Sequence, residues 1–287
     1  MMYPHLTHAQ APLTCEVSGI NEFGEHISVS IPAERALTVY VDKRELVTLM
    51  TLGAHPELLV LGYLRNQRLV NSIEEIESIT VDWDVGAAAV KTSMGIADIE
   101  EKTAKRVVTT GCGQGSVFGG LMDDVDQIRL PPDASITQSQ LYALVNTIRL
   151  KETTYKSAGS VHACALFSTV SGESELLLFV EDVGRHNAID TIAGWMWMQE
   201  NRSAREADNV FYTTGRLTSE MVIKSAQMGV PVVVSRSGIT QMGYGVAQSV
   251  GLCAIGRATN KRFLCYTHPE RLQLQPGLAG ISSGSTK

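Results

Sequence analysis

The sequence predicts an α/β chain, α+β overall, in which a small, mostly β N-terminal domain precedes an α/β domain. Two patterns carry that prediction. Before residue 91, short stretches alternate apolar and polar residues with period two, and beyond residue 160 apolar runs alternate with helical patterns. A length of 287 residues lies near the size at which one core stops growing, so one large or two modest domains are expected.

The first dozen residues, with His5 and His8 and no apolar period, read as a loose tail. Residues 15–17, 26–31 and 37–41 read as strands; the polar turn Asp42-Lys43-Arg44 and the apolar run 46–52 complete a hairpin. Pro56 is a favoured first helical residue, and with Glu57 in the first turn and Leu58, Leu61 and Leu64 following it starts a helix. Strands return at 76–85 and 87–90, which closes a domain over 14–110 in which His55 and Trp83 read as packing or surface residues. Further on, Thr137-Gln138-Ser139-Gln140 matches a capping box, with Leu141, Leu144, Val145 and Ile148 on one helical face. Apolar runs at 176–180, 210–212, 230–234 and 252–255 then alternate with helices, for example over Ile189, Ile192, Ala193 and Met196. They predict a mostly parallel sheet in a domain over 136–275, followed by a flexible tail at 276–287.

Composition excludes several classes. The 44% hydrophobic and 19% charged content is that of a folded globular protein. No apolar run reaches spanning length, and the N-terminus lacks a basic start and an apolar core, so no membrane association and a cytoplasmic location are expected. The net charge of −6 disfavours general nucleic-acid binding. Five scattered cysteines without a C-x-x-C pair fit neither a disulfide framework nor a zinc knuckle, and no protein-bound metal is expected.

Two features carry chemistry. The run Thr109-Thr110-Gly111-Cys112-Gly113-Gln114-Gly115-Ser116 surrounds one thiol with glycines and small hydroxyl residues, opening a predicted loop over 111–135. Loops of that length are usually functional or disordered, and an uncovered sulfur suits a nucleophile or carrier; a plain glycine-rich surface loop is the alternative. Ser116 and Phe118 break both possible G-x-G-x-x-G registers, so a dinucleotide fingerprint is rejected.

The second feature is an edge of arginines. Four successive predicted strands end in Gly184-Arg185-His186, Gly215-Arg216, Ser235-Arg236-Ser237-Gly238 and Gly256-Arg257. In α/β sheets the ligand crevice lies at the carboxyl ends of the strands, where helix N-termini add donors, and arginine forks suit phosphate oxygens. The pattern predicts a nucleotide or pyrophosphate site, although each arginine alone reads as an ordinary solvated or salt-bridged residue. His186 reads as a hydrogen-bonding node at a helix start before it reads as a general base. His268, after Lys261-Arg262, is placed to close the anion site, while His162, Cys164, Cys253 and Cys265 read as core or strand residues.

Together these residues resemble the sulfurtransferase accessory proteins of formate dehydrogenase. The matching motifs are Thr109-Thr110-Gly111-Cys112-Gly113, Gly159-Ser160-Val161-His162-Ala163, Glu181-Asp182-Val183-Gly184-Arg185-His186-Asn187-Ala188, Ser219-Glu220-Met221-Val222, residues 231–237, and Tyr266-Thr267-His268-Pro269-Glu270-Arg271. The resemblance implies a three-layer C-terminal α/β domain like that of cytidine deaminases, and a homodimer. It implies that Cys112 carries persulfide sulfur from a cysteine desulfurase to the bis-molybdopterin guanine dinucleotide molybdenum cofactor, bound as substrate, before insertion into formate dehydrogenase. The stretch Arg257-Ala258-Thr259-Asn260-Lys261-Arg262 matches the family's cofactor-binding segment, which Arg185, His186, Arg216, Arg236 and His268 would complete. Gly115 stands where the family usually has a second cysteine. That departure keeps a second reading open, a cofactor or guanine-nucleotide chaperone that moves no sulfur, and a third, a remnant without nucleotide affinity. Deaminase chemistry is unsupported, because His162-Ala163-Cys164 lacks the H-x-E glutamate and the P-C-x-x-C pair.

Overall fold

Chain order sets out the elements, and the computed structural model describes residues 3–96, 99, 125–151, 154–199 and 206–278. The first half runs β1 (His5–Leu6), β2 (Thr14–Ile20), β3 (His26–Pro32), β4 (Arg35–Val41), β5 (Arg44–Thr51), α1 (Pro56–Asn66), β6 (Ile76–Asp82) and β7 (Ala87–Thr92). The second runs β8 (Ile136–Thr137), α2 (Gln138–Lys151), α3 (Thr154–Ala158), β9 (His162–Ser168), β10 (Glu175–Asp182), α4 (Arg185–Trp197) and β11 (Asn209–Thr213). It ends with α5 (Ser219–Gln227), β12 (Val232–Ser235), α6 (Gln241–Val250), β13 (Cys253–Thr259), β14 (Arg262–Cys265) and β15 (Leu272–Gln273). Two compact units result, made of the described parts of Met1–Asp124, Glu152–Cys164 and Phe179–Ser203, and of Val125–Lys151, Ala165–Leu178 and Ala204–Lys287.

In the first unit the five-stranded sheet has the order β1-β6-β7-β4-β5. Alternation in β4 buries Leu37, Val39 and Val41 against Leu59, Val60 and Leu64 of α1 in one core. The N-terminal residues are not a loose tail. His5 and Leu6 pair in parallel with β6, and the buried Glu57 carboxylate accepts from the Thr7 hydroxyl and the Ala9 N–H, both at 2.7 Å. A tail with no apolar period is ordered here by one buried acceptor. The β2–β3 ribbon is a separate two-stranded sheet that exposes Val17, Ile20, Phe23, Ile27, Val29 and Ile31.

Two helices distant in sequence, α1 and α4, make the closest packing of this unit. A Cβ on Gly62 would stand 1.7 Å from the Asp190 carbonyl oxygen, and one on Gly194 would stand 2.0 Å from that of Leu58. The helices therefore meet backbone to backbone, and Asn66 Nδ2 donates to Asp190 Oδ1 at 2.7 Å across the crossing. Ile189, Ile192 and Ala193 are fully buried beside it, as their helical spacing predicts.

In the second unit the capping box is present, with Gln140 N–H donating to Thr137 Oγ1 and Thr137 N–H donating to Gln140 Oε1. The six-stranded sheet has the order β10-β9-β11-β12-β13-β14, of which β11 to β14 lie wholly in this unit; β11, β12 and β13 are parallel neighbours, and β14 turns back antiparallel at the edge. Of the predicted loop over 111–135 only residues 125–135 are described, and these are packed rather than loose. Val125, Leu130 and Ala134 are buried, and Arg271 Nη1 donates to the Pro131 and Ala134 carbonyls. Among the described residues no helix is long and apolar enough to cross a membrane.

Gly194→Ala is expected to lower stability by about 3 kcal/mol, the upper range for overpacking, because backbone rather than a flexible side chain occupies the space. Urea unfolding of Gly194→Ala beside Ala193→Gly should show the larger loss at 194; an equal or smaller loss there would mean that the helices do not meet backbone to backbone.

Candidate functional site

The carboxyl ends of β11, β12 and β13 are laced together by the segments that lead into α5 and α6. Leu217 bridges Ile239 in parallel, its N–H donating to the Gly238 carbonyl at 2.9 Å while Thr240 N–H donates to the Leu217 carbonyl at 3.0 Å. Ser235 Oγ donates to the Gly215 carbonyl at 2.7 Å and Ser237 Oγ to that of Thr214 at 2.9 Å. Arg236 N–H donates to the Thr213 carbonyl, and Arg257 N–H to that of Ser237 at 2.6 Å. The serine hydroxyls are thus spent on backbone carbonyls. What the edge offers to a ligand is the exposed Arg216 and Arg257 and the half-buried Arg236.

Close approach is built into this edge. A Cβ on Gly256 would stand 2.7 Å from the Tyr266 ring and 2.9 Å from the Ser237 carbonyl oxygen, and one on Gly243 would stand 2.4 Å from that of Leu217. Three non-glycine residues of the candidate stretch adopt left-handed backbone: Arg257 (φ 51°), Asn260 (φ 51°) and His268 (φ 49°). Each costs of order 1 kcal/mol, and such strain clusters at functional sites. Thr240 caps α6 by accepting the Gly243 N–H at 3.1 Å, so that helix start adds a fixed dipole beside the edge.

The predicted residues divide between places. Thr259, Asn260, Lys261 and Arg262 are exposed in the β13–β14 turn, whereas Ala258 is 1% exposed and serves packing. Both ring nitrogens of His268 are engaged, Nδ1 with Glu270 Oε1 at 2.8 Å and Nε2 with the Gln248 carbonyl at 3.1 Å. Its own backbone N–H first, and His268 second, hold the Glu270 carboxyl below the usual carboxylate range. Arg185 and His186 belong to the first unit and do not form a solvent-facing edge. They are 6% and 4% exposed, because every residue of α4 from 185 to 194 is buried. Cys112 and Gly115 lie outside the described residues.

Several organising residues carry weaker sequence signals. Asp182 accepts from Thr51 Oγ1 (2.5 Å), Leu52 N–H (3.1 Å), Gly184 N–H and Asn187 Nδ2 (both 2.9 Å). Burial pushes its carboxyl above the usual carboxylate range against the pull of those four donors. Its neighbour Glu181 accepts the Thr154 and Tyr155 N–H groups that open α3. The acids of the Glu-Asp-Val-Gly-Arg-His-Asn-Ala motif are therefore spent on internal donors, Glu181 on backbone N–H groups and Asp182 on both backbone and side chains. On α5, Glu220 and Lys224 form an ion pair at 3.4 Å with side chains 5% and 2% exposed. Their i, i+4 spacing was available in the sequence; their burial was not.

A cleft of about 370 Å³ in the first unit is lined by Leu6, His8, Ala9, His55, Glu57 and Leu58, none of them a predicted site residue. Exposed His55 is held below the usual imidazole range by partial desolvation, with Glu57 opposing. Among the described residues no group of three or more His, Cys, Asp or Glu is placed to hold a metal ion.

Comparison with known proteins decides the family. The family model described as FdhD/NarQ matches residues 32–273. The chain belongs to the FdhD/NarQ family. Among curated FdhD/NarQ relatives, the sulfur carrier protein FdhD of Bacillus subtilis (strain 168) is 33% identical over 246 residues, covering 84% of this chain and 89% of that one. The sulfur carrier protein FdhD of Staphylococcus haemolyticus (strain JCSC1435) is 29% identical over 244 residues, covering 85% and 90%. The fold matches, with a TM-score of 0.71 and 22% identity, the crystal structure of a proposed formate dehydrogenase accessory protein from Desulfotalea psychrophila, over 91% of this chain and 100% of that one.

Lys224→Met removes the cation of a buried ion pair and takes it away from the buried Glu220 carboxylate, so stability is expected to fall by about 3 kcal/mol. The double variant with Glu220→Gln should recover part of that loss in urea unfolding; no recovery would show that the two side chains are not coupled.

Proposed function

We propose that the chain is a sulfur carrier in formate dehydrogenase maturation, with Cys112 as the atom that carries the sulfur. The observation that carries this reading is membership of a family whose curated relatives are named sulfur carrier proteins, matched over residues 32–273, which include Cys112. In the proposed step the Cys112 thiolate attacks the terminal sulfur of a persulfide on a cysteine desulfurase. A new S–S bond forms on Cys112, and the donor cysteine leaves as thiolate. The S–S bond on Cys112 then breaks as its terminal sulfur passes, at the sulfane level, to the bis-molybdopterin guanine dinucleotide molybdenum cofactor, held as substrate, and Cys112 returns to the thiolate before that cofactor enters formate dehydrogenase. With Gly115 in the second loop position, a single cysteine performs the relay.

The laced strand ends support the cofactor half of the reading. Arg216, Arg236 and Arg257, beside the exposed Asn260, Lys261 and Arg262, offer charge-assisted donors to pyrophosphate. A C-terminal scaffold of the cytidine deaminase kind, a cytoplasmic location and a homodimer complete the proposal. The exposed apolar β2–β3 ribbon supports the dimer, since a two-stranded hairpin is marginal by itself and an apolar face gains from being covered.

Incubation with a cysteine desulfurase and cysteine should add one sulfur atom to Cys112, seen by mass spectrometry, and Cys112→Ala should fail to restore formate dehydrogenase activity. If Cys112→Ala binds the nucleotide and restores activity fully, the chaperone reading replaces the relay. Arg257→Ala should weaken binding of guanosine diphosphate by roughly tenfold or more, the loss of one charge-assisted contact. Calorimetry showing unchanged affinity would remove the arginine edge from the site.

A further inference from the structure

A second pair of sulfur atoms lies on the β13–β14 hairpin. Cys253 and Cys265 are diagonal neighbours on one face of this antiparallel pair, since Cys265 stands opposite Ile255, and their Sγ atoms are 3.8 Å apart. Cys253 is fully buried, whereas Cys265 is half-buried on β14, the edge strand of the sheet. We propose that Cys253 and Cys265 form a redox-active dithiol that low-molecular-weight disulfides oxidise to an intramolecular disulfide. This site is independent of Cys112 and of the sulfur-relay reading.

The two thiols are unequal in the way such a reaction needs. Hydrogen bonding from the buried Cys253 thiol holds Cys265 below the usual thiol range, while that same bond and burial push Cys253 well above it. His268 favours the Cys265 thiolate, Glu270 opposes it, and Arg271 acts on Cys253 in the sense that lowers its pKa. Cys265 is therefore the attacking sulfur and Cys253 the resolving one. The Cys265 thiolate attacks one sulfur of the disulfide reagent, forming a mixed disulfide and releasing one thiolate. Cys253 gives its proton to that thiolate and attacks the Cys265 sulfur, releasing the second. Two protein thiols and one small disulfide become one protein disulfide and two small thiols.

Closing the gap from 3.8 Å to a bond near 2.05 Å asks for roughly 1.8 Å of sulfur movement. An edge strand with a register shift between Gly256 and Thr259 can supply it. Buried Thr267 holds the two strands together beside the pair: its hydroxyl accepts from Ala254 N–H at 3.0 Å and donates to the Leu252 carbonyl at 2.6 Å.

Peptide mapping separates this pair from every other cysteine. Trypsin cleavage after Arg236, Arg257, Arg262 and Arg271 places Cys253 alone in 237–257 and Cys265 alone in 263–271. After the native full-length chain is equilibrated with oxidised glutathione and then blocked with an alkylating agent, these two peptides should be recovered linked in most chains. Cys253→Ala should instead carry glutathione on Cys265, and Cys265→Ala should leave Cys253 free and unmodified. Recovery of both peptides separately alkylated from the native wild type, or linkage only after unfolding, would overturn the proposal. Persulfide formation on Cys112, or its failure, has no bearing on the readout.

Discussion

One buried carboxylate closes the first unit. Asp182 draws four donors from two parts of the chain that are distant in sequence, Thr51 and Leu52 at the end of β5 and Gly184 and Asn187 at the start of α4. Asn187 Nδ2 also donates to the Met50 carbonyl at 2.6 Å, so the same side chain holds both partners. With its donors satisfied, α4 can present Gly194 to Leu58 and accept Gly62 against Asp190. A buried acid is costly unless its lone pairs are filled, and here filling them is what joins strand to helix.

The second unit solves a similar problem by different means. Three parallel strand ends need their loops held at a common edge, and Ser235 and Ser237 do this by donating to carbonyls of the neighbouring segment. Gly256 supplies the clearance that brings β13 under Ser237 and Tyr266. Since the hydroxyls are committed internally, charge at the edge comes from arginine, and left-handed backbone at Arg257 and Asn260 turns the chain sharply into the exposed hairpin. The ion pair on α5 is buried, with both side chains withdrawn from water.

Local pattern made much of this legible. Period-two alternation located β4 and β5, Pro56 located the start of α1, and the reciprocal bonds of Thr137 and Gln140 matched their spacing. The arginines after β11, β12 and β13 were readable because glycine and serine mark strand ends. Arg185 shows what local pattern leaves out. It has the same local signature as Arg216, but the helix it opens is buried on all sides through residue 194, and nothing within a few residues of Arg185 encodes that. The same holds for the N-terminal residues, since their order depends on Glu57, which is far away in sequence.

By itself the sequence determined element types, the alternation that defines the α/β part and the family motifs, Thr109-Thr110-Gly111-Cys112-Gly113 with its proposed carrier thiol among them, because these depend on residues within one or two turns of each other. Only the tertiary structure decided which polar groups are spent. It committed Asp182, Glu181, Ser235, Ser237 and His268 to internal partners, left Arg216 and Arg257 to solvent, and brought Cys253 within 3.8 Å of Cys265. A side chain's availability is set by what the remote chain places beside it, and burial of that kind has no local period to read.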